Sequence, residues 1–333
     1  MSEGKPCDYT VKETQDYLVS GLTEDGRFRV LAARTTLVAE EGRRRHRTSR
    51  TVAAALGRSL TCAAMVAATL DDNQSATLRF LGDGPSGGIV AEGRNLGDHI
   101  GVRGYVANPD VELPLKAPGK LDVGGVVGSD GFLYVTKDLG LREMYTGSAR
   151  LQSGEIGIDL AYYYTVSEQL PTAVSVGVRI EGANAAGASG RSGWVSGAGG
   201  LMIQVMPGHD PDTATQAIDL IQSNLDGIGP VSMRMKEGVL PEDLVEAVFR
   251  GVGKADLLNR VPIKFECKCS RERALRTLST LGEEDLRRLA GEQESTEVRC
   301  HFCNEVYRFS AQEIREYAST LREENEESER DPS

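Results

Sequence analysis

The sequence predicts an α+β fold with a mixed α/β N-terminal core domain, a helical connector and a small C-terminal domain organised around cysteines. Three observations lead to this prediction. A long segment with helical periodicity is followed by short strand-like segments separated by Gly and Pro turns. Two further helical segments then precede two close pairs of cysteines near the C-terminus. At 333 residues the chain is long enough for two domains.

The N-terminal core domain is expected to span 1–206. Its clearest element is a helix over 49–70, where apolar residues recur at helical spacing. A second helix is predicted over 153–167. The stretch 182–200, rich in Gly, Ala and Ser, is interpreted as a flexible hairpin connection and not as a phosphate cradle. Strand-like runs bounded by turns lie at 28–33, 76–81, 89–92, 100–106, 131–137, 144–151, 173–180 and 201–206.

Residues 207–260 are predicted to form a helical connector, with helices over 213–224 and 241–250. A Gly- and Pro-containing segment at 226–230 separates the two helices. The apolar residues of both helices need a surface to cover, so we expect them to pack between the N- and C-terminal domains. These residues are Ile218, Leu220, Ile221, Leu225, Leu240, Leu244, Val245, Val248 and Phe249.

The C-terminal domain is expected to span 261–322. A strand over 261–265 leads to the first cysteine pair, and Ser270 is placed to cap a helix over 271–280. A short helix over 283–290 and a hairpin over 298–309 follow, with the second cysteine pair at the hairpin tip. Ser310 and Glu313 form a capping box that begins the last helix. The acidic tail, 323–333, is expected to be disordered.

The four C-terminal cysteines predict a metal site. Cys267 and Cys269 form a C-x-C pair, and Cys300 and Cys303 form a C-x-x-C pair. Four thiolates in two close pairs match the tetrahedral ligand set of structural Zn²⁺, so we predict one Zn²⁺ per chain, bound by all four. His301, inside the second pair, is interpreted as a bystander. C-x-C is a less usual zinc spacing, which leaves two interpretations open: a permanent structural zinc site, or a zinc site that oxidation opens.

Charge and composition disfavour several classes of function. The net charge is −11, and 261–333 carries 12 Lys and Arg against 17 Asp and Glu, so we expect no affinity for nucleic acid or anionic membranes. No signal peptide and no long apolar run are visible, which predicts a cytoplasmic protein without a membrane span. Six cysteines in such a protein indicate metal or redox chemistry before structural disulfides. Cys62 is interpreted as a buried, inert thiol, and Cys7 has no assigned role.

Other motifs carry no function on their own. The basic run at 43–47 is interpreted as a solvated turn before a helix. The Gly-rich segments at 82–88 and 251–254 lack the G-K-[ST] ending of a phosphate loop. Neither a histidine-based catalytic constellation nor a G-x-S-x-G nucleophile elbow stands out, so an enzyme is disfavoured.

The cysteine region closely resembles the heat shock protein 33 family of bacterial redox-regulated chaperones. The C-x-C and C-x-x-C pairs, separated by about thirty residues, are highly specific for that family. The resemblance covers nearly the whole chain in the expected order. The segments that carry it are 80–85, 167–172, 199–207, 263–273 and 300–303.

The resemblance implies a cytosolic, ATP-independent holdase whose reduced, zinc-bound form is inactive. It implies that peroxide with heat, or hypochlorite, converts the zinc ligands to two disulfides, Cys267–Cys269 and Cys300–Cys303. Zinc is then released and the connector unfolds. The implied partners are unfolded or oxidatively damaged client proteins, and the oxidised protein is expected to be a homodimer.

Two other functions are considered. The main alternative is a constitutive zinc-ribbon interaction protein whose metal is purely structural. A thiol–disulfide oxidoreductase requires a thioredoxin-like strand, C-x-x-C and helix order. Here a strand-like segment at 305–309 follows the C-x-x-C, which disfavours an oxidoreductase.

Overall fold

The computed structural model describes residues 15–182, 193–208 and 211–330. The chain divides between Glu266 and Cys267 into two compact units, here called unit 1 and unit 2. Cys7, most of the stretch 182–200 and the last three residues of the acidic tail lie outside the described residues. Within the described residues, no helix combines the length and the apolar character needed to cross a bilayer.

Unit 1 is built on a ten-stranded sheet in the order β7-β6-β3-β4-β5-β10-β1-β2-β9-β8. Neighbouring strands are antiparallel except for β10 and β5, which are parallel. All eight strands expected from the sequence are present, which confirms the predicted α+β class. The strands are β1 (Tyr17–Thr23), β2 (Phe28–Arg34), β3 (Ser75–Gly82), β4 (Ile89–Asn95), β5 (Ile100–Val106), β6 (Gly131–Asp138), β7 (Tyr145–Arg150), β8 (Thr172–Glu181), β9 (Trp194–Val205) and β10 (Ala255–Phe265).

The helices of unit 1 pack on this sheet. They are α1 (Thr36–His46), α2 (Arg50–Ala67), α3 (Val123–Val127), α4 (Gly157–Val166), α5 (Pro211–Ile228), α6 (Val231–Lys236) and α7 (Pro241–Val248). Helix α2 is the central one. It begins where the Ser49 hydroxyl accepts the Val52 N–H, and all its residues except Arg50 and Arg58 are buried. A helix that is buried all round is a core element, which explains its Ala-rich composition.

Cys62 lies in the middle of α2 and is completely buried. Burial raises the pKa of its thiol. The structure therefore confirms the prediction of a buried side chain, and a neutral thiol in this environment is a poor nucleophile.

The predicted connector forms three helices and then a strand. Ile221 of α5, Val245 and Val248 of α7, and Phe249 directly after α7 are buried against the face of β1, β2 and β9 that lies opposite α2. The Phe249 and Phe28 rings lie 6.0 Å apart between centroids. Ile218, Leu220 and Leu240 instead remain more than one-third exposed. The connector helices are therefore folded against the sheet of unit 1.

Strand β10 joins the two halves of the sheet, since it lies between β5 and β1. It pairs with β1 from Ala255 to Pro262, and its last three residues pair with Ile100, Gly101 and Val102 of β5. The segment 261–265, expected to open the C-terminal domain, is thus the end of a central strand of unit 1. The compact units divide after it, at Glu266.

In its described residues, unit 2 contains a two-stranded hairpin, three α-helices and a short 3-10 turn at Ser279–Leu281. The elements are α8 (Arg271–Leu278), α9 (Glu283–Glu292), β11 (Ser295–Arg299), β12 (Val306–Ser310) and α10 (Ala311–Arg330). Its small core is centred on Leu286, Phe309, Ile314 and Ala318. Helix α10 continues to Arg330, into the tail expected to be disordered. Glu and Arg are good helix formers, and the first proline of the tail comes only at Pro332.

The prediction of a turn at 43–47 is wrong for Arg43 to His46. These residues form the last turn of α1, and only Arg47 leaves the helix, in a left-handed conformation. Basic side chains at this end are favourable because they oppose the helix dipole. Arg43, Arg44 and Arg45 also pair with Glu40 and Glu41 of the preceding turn, so the charges that suggested a loop stabilise the helix.

Candidate metal centre

The four predicted ligands converge in unit 2. The Sγ atoms of Cys267, Cys269, Cys300 and Cys303 all lie within 4.8 Å of one another. The distance is 3.7 Å between Cys267 and Cys300 and 3.3 Å between Cys269 and Cys303. All four side chains are thiols and not disulfides, and Cys303 is buried. The structure thus brings together residues that lie 33 and 34 positions apart in the chain.

The first pair is held at the start of α8. The Ser270 hydroxyl accepts the Arg273 N–H at 3.2 Å, so the predicted N-cap is confirmed. The Arg273 guanidinium donates to the Lys268 carbonyl at 2.9 Å. These two contacts fix the backbone on both sides of Cys269. The first pair is therefore held by a capped helix end and not by a flexible loop.

The second pair lies in the turn between β11 and β12. The Asn304 N–H donates to the Cys300 carbonyl at 2.8 Å, and the Cys300 N–H donates to the Glu305 carbonyl at 2.9 Å. Asn304 adopts a left-handed conformation with φ of 62°, which asparagine tolerates better than most residues. Its side chain accepts from Arg299 at 3.0 Å. This closed turn points Cys300 and Cys303 to the same side.

The local electrostatics suit a cation. Burial raises the pKa of the Cys303 and Cys300 thiols, and the nearby Cys267 sulfur raises both further. Backbone N–H groups of Cys303 and Phe302 oppose this effect at Cys300. Four crowded thiolates repel one another, and a bound dication would relieve that repulsion. The four sulfurs are therefore more stable around a bound metal ion than as four uncoordinated thiolates.

The dimensions of the cluster fit a tetrahedral thiolate site. With metal–sulfur bonds of about 2.3 Å, a Zn²⁺ tetrahedron places its sulfurs about 3.8 Å apart. The two shortest observed separations, 3.7 and 3.3 Å, are close to this value, and all four sulfurs lie within 4.8 Å of one another. His301 is exposed and is not part of the cluster that the described residues form. The four cysteines are therefore sufficient to hold a metal ion.

One contact to the cluster has no counterpart among the sequence predictions. The Tyr307 hydroxyl donates to Cys269 Sγ at 3.2 Å, and this contact, more than any other, raises the pKa of the Tyr307 phenol. Tyr307 lies in β12, opposite Val298 of β11. The contact joins residues 38 positions apart, so no local spacing reveals it.

The core of unit 2 lies close in sequence to the ligands. Phe309, two residues beyond Tyr307, is almost completely buried. The Arg271 guanidinium lies 4.5 Å from the Phe309 ring centroid and pairs with Glu313. Glu313 also accepts the Ser310 N–H at 2.8 Å, which confirms the predicted capping box. The helix that closes the unit is thus tied to the strand that follows the second cysteine pair.

The Gly-rich segment at 82–88 has a packing role. A Cβ on Gly84 would lie 2.4 Å from the Val127 carbonyl carbon, and a Cβ on Gly82 would lie 2.3 Å from the Val127 oxygen. The Gly84 N–H donates to the Val127 carbonyl at 3.0 Å. Glycine is needed here for close approach of two backbones, which agrees with the absence of a phosphate-loop motif.

Comparison with known proteins identifies relatives along most of the chain. The profile of the family described as Hsp33 protein matches residues 16–310. A 33 kDa chaperonin of Symbiobacterium thermophilum is 46% identical over 300 residues, covering 90% of this chain and 96% of the relative. A 33 kDa chaperonin of Bacillus licheniformis is 41% identical over 299 residues, covering 90% and 97%.

A solved structure is similar as well. The 33 kDa chaperonin of Thermotoga maritima, described as a heat shock protein 33 homologue, superposes with a TM-score of 0.81 at 34% sequence identity. The superposition covers 93% of this chain and 99% of that chain.

Proposed function

The chain belongs to the Hsp33 family of chaperones, and on that premise we propose that it is a redox-regulated, ATP-independent holdase. The observation that carries this proposal is the convergence of four thiols, each paired in sequence with another, in the small C-terminal unit. The reduced, metal-bound form is inactive. Oxidation of the four thiols activates the protein to bind unfolding client proteins and keep them from aggregating.

Cys267, Cys269, Cys300 and Cys303 hold one Zn²⁺ per chain in the reduced form. Bound Zn²⁺ keeps the four sulfurs as thiolates and cross-links the start of α8 to the β11–β12 turn. The core of unit 2 is small, so the cross-link accounts for much of its stability. Structural zinc contributes about 10–16 kcal/mol in small domains, whereas whole domains are stable by about 5–15 kcal/mol. Loss of the metal is therefore expected to unfold unit 2.

The thiol chemistry yields the disulfides Cys267–Cys269 and Cys300–Cys303. Peroxide oxidises one sulfur to a sulfenic acid, and a neighbouring thiol displaces water to form the disulfide. In the folded cluster the shortest sulfur distances run across the two pairs. Once unit 2 unfolds, a partner two or three residues away is favoured over one more than thirty residues away, because the loop to be closed is shorter. Disulfide formation removes all four ligands, so zinc does not rebind until the thiols are reduced.

The connector supplies the client-binding surface. Its apolar side chains Ile221, Val245, Val248 and Phe249 are buried on the sheet of unit 1 in the reduced fold. Strand β10, which follows them, runs without a loop to within two residues of Cys267. Unfolding of unit 2 therefore acts directly on the end of this strand, and the connector is released in turn. The released apolar surface binds exposed apolar segments of clients.

The remaining assignments follow from the same proposal. The protein acts in the cytoplasm on unfolded or oxidatively damaged proteins, as a homodimer when oxidised. It binds neither nucleic acid nor membranes, and it has no catalytic turnover. The functional parts are a core at 1–206, a redox-sensitive linker that begins at 207 and ends with strand β10, and a metal-binding switch domain at 267–322.

Aggregation suppression and zinc release, measured together, test the proposal. Reduced protein is treated with peroxide at heat-shock temperature in the presence of an unfolding client. We expect zinc loss to coincide with suppression of aggregation, and both to be reversed by a dithiol reductant plus zinc. The Cys62→Ala variant, which lacks a thiol outside the cluster, is expected to behave like the natural protein. If the protein kept its zinc under oxidant, or lost zinc without suppressing aggregation, the alternative of a constitutive zinc-ribbon protein would be favoured.

A further inference from the structure

The hydrogen bond from the Tyr307 hydroxyl to Cys269 Sγ distinguishes this sulfur within its pair. The donor–acceptor distance is 3.2 Å, within the range for bonds to sulfur. Cys269 also lies 3.3 Å from Cys303 Sγ. Its sulfur is therefore held by a side-chain hydroxyl on one side and by a thiol of the second pair on the other.

The position of Tyr307 is fixed by its strand. It pairs with Val298 across the hairpin, and its ring packs against the small core of unit 2. Phe309, on the same strand, is nearly completely buried and anchors β12 from the other end. The hydroxyl is thus presented to Cys269 by a rigid element. A Tyr307→Phe change would remove only this oxygen and would leave the ring in place.

Backbone N–H groups also bond to the cluster. Cys300 accepts peptide N–H groups of Cys303 and Phe302, and Cys303 accepts that of Glu305. Such donors are part of the turn itself and cannot be removed by changing a side chain. Tyr307 is a side-chain donor whose presence depends on one residue type, so it can set the reactivity of the cluster independently of the turn.

We infer that Tyr307 is a positioning residue for the redox reaction, which lowers the nucleophilicity of Cys269 and so raises the oxidant level needed to open the Cys267–Cys269 half of the site. The inference rests on the proposed function, in which Tyr307 adjusts the oxidant concentration at which the site opens. A hydrogen bond to a thiolate stabilises the lone pair that attacks the oxidant. Part of this stabilisation is lost in the transition state, so the reaction is slower.

The affected step is the attack of the Cys269 thiolate on peroxide. A lone pair on Sγ forms the S–O bond, the O–O bond breaks, and the departing hydroxide takes up a proton to become water. The Cys267 thiol then attacks the sulfenic sulfur, the S–S bond forms, and a second water leaves with the thiol proton. In total, one thiolate, one thiol, one peroxide and one proton from the solvent give one disulfide and two waters. Tyr307 loses no proton in either step and bonds only to the attacking sulfur.

The test compares the natural protein with Tyr307→Phe, both full-length, reduced and zinc-loaded. Each is treated with hydrogen peroxide, quenched by alkylation, and the fraction oxidised is measured separately for the Cys267/Cys269 and Cys300/Cys303 peptides. We expect oxidation at Cys267/Cys269 to be about 3–10 times faster in the variant. The change at Cys300/Cys303 should be smaller. Tyr317→Phe, which removes a hydroxyl from a residue of α10 that also packs on the unit 2 core, should match the natural protein.

A second readout reports on the sulfur itself. With Co²⁺ bound in place of zinc, loss of the Tyr307 hydrogen bond should move the sulfur-to-cobalt charge-transfer band to lower energy, because the sulfur lone pairs are less stabilised. The inference would be overturned if oxidation of both cysteine peptides became faster by the same factor while the charge-transfer band did not move. Such a result would show that the substitution loosened unit 2 as a whole. Unchanged kinetics in Tyr307→Phe would overturn it and leave the proposed function intact. A natural protein that forms no disulfide under peroxide would overturn both.

Discussion

His99 and Glu266 are joined by a contact of 2.7 Å between Nε2 and Oε2. Glu266 is the last residue of unit 1, and Cys267 follows it in the chain. The Glu266 N–H also donates to the Val102 carbonyl of β5 at 2.8 Å. The residue next to the first predicted ligand is therefore tied to the sheet by both its backbone and its side chain.

Removal of the His99 side chain should weaken this end of the sheet. We expect His99→Ala to lower the free energy of unfolding of unit 1 by about 1–2 kcal/mol, because the Glu266 carboxylate loses its partner. Urea unfolding of the reduced protein measures this value. The single tryptophan, Trp194, lies in β9 of unit 1 and reports on that unit.

Asp98→Asn is the matched control for His99→Ala. Asp98 contacts the other ring nitrogen of His99 at 2.7 Å, but its side chain is well exposed. Exposed pairs of this kind contribute about 0–1 kcal/mol. The Asn variant should therefore unfold at nearly the same urea concentration as the natural protein. Equal decreases in the free energy of unfolding for His99→Ala and Asp98→Asn would show that the contact to Glu266 stabilises the protein no more than the exposed contact to Asp98.

Loss of one predicted ligand should abolish metal binding. Cys300→Ser replaces one thiolate by a poor ligand for Zn²⁺, and unit 2 then loses its cross-link. The purified reduced variant should contain much less than one zinc per chain, whereas Cys62→Ala should retain one. A colorimetric zinc assay after thiol modification gives both values. One zinc in the Cys300→Ser variant would remove this residue from the ligand set.

Close backbone packing makes Gly84 intolerant of substitution. The Cβ of Gly84→Ala would lie 2.4 Å from the Val127 carbonyl carbon and 2.5 Å from the Gly128 nitrogen, so the backbone must shift. We expect a loss of about 3 kcal/mol or more in the free energy of unfolding. Gly227→Ala is the control, because an added Cβ there meets no atom within 4 Å and the residue lies in α5. It should be neutral or stabilising by up to about 1 kcal/mol. Similar melting temperatures for the two variants would contradict the packing argument.

Asp16 should make the stability of unit 1 depend on pH. Burial raises the pKa of Asp16 from the usual 3.8 to about 6, although Oδ2 accepts the Val38 N–H at 2.7 Å and Arg34 lies nearby. Its Oδ1 is buried without a hydrogen-bond partner in the described residues. Because the folded pKa is raised, the stability contributed by this group is complete below about pH 4 and is lost as the pH rises through 6.

Asp16→Asn should remove this dependence, since the amide is neutral throughout. The difference in unfolding free energy between the Asn variant and the natural protein should increase in favour of the variant by about 2–3 kcal/mol from pH 4 to pH 7. Urea unfolding at intervals across this range measures it. If the unfolding free energies of the two proteins changed with pH in the same way, the raised pKa of Asp16 would be contradicted.

Local signals were sufficient to predict much of the fold. The Ala-rich periodicity predicted α2, the Ser270 cap predicted the start of α8, and the Ser310–Glu313 capping box predicted the start of α10. The four metal-site cysteines were also predicted from spacing alone. For each cap, for the helix and within each cysteine pair, the physical cause lies within a few residues, so the sequence pattern is enough.

Features that depend on distant partners were not predicted. Strand β1 (Tyr17–Thr23) was missed although Asp25-Gly26 signals the turn to β2. Its other partner is β10, more than 230 residues later. The contacts of Tyr307 with Cys269 and of His99 with Glu266 join residues from separate elements. The assignment of 261–265 to the large sheet likewise depends on pairing with Ile100 to Val102. Pairing across the fold decides these features, and it leaves no local pattern.

Amide hydrogen exchange of the connector tests the central claim most directly. Peptides from α5 and α7 are compared in the reduced, zinc-bound protein and after full oxidation, with peptides from α2 as an internal reference for the folded core. The account predicts protection of α5 and α7 in the reduced form, its loss on oxidation, and unchanged protection of α2. Connector peptides that remain protected after both disulfides have formed would contradict the claim that oxidation exposes the client-binding surface.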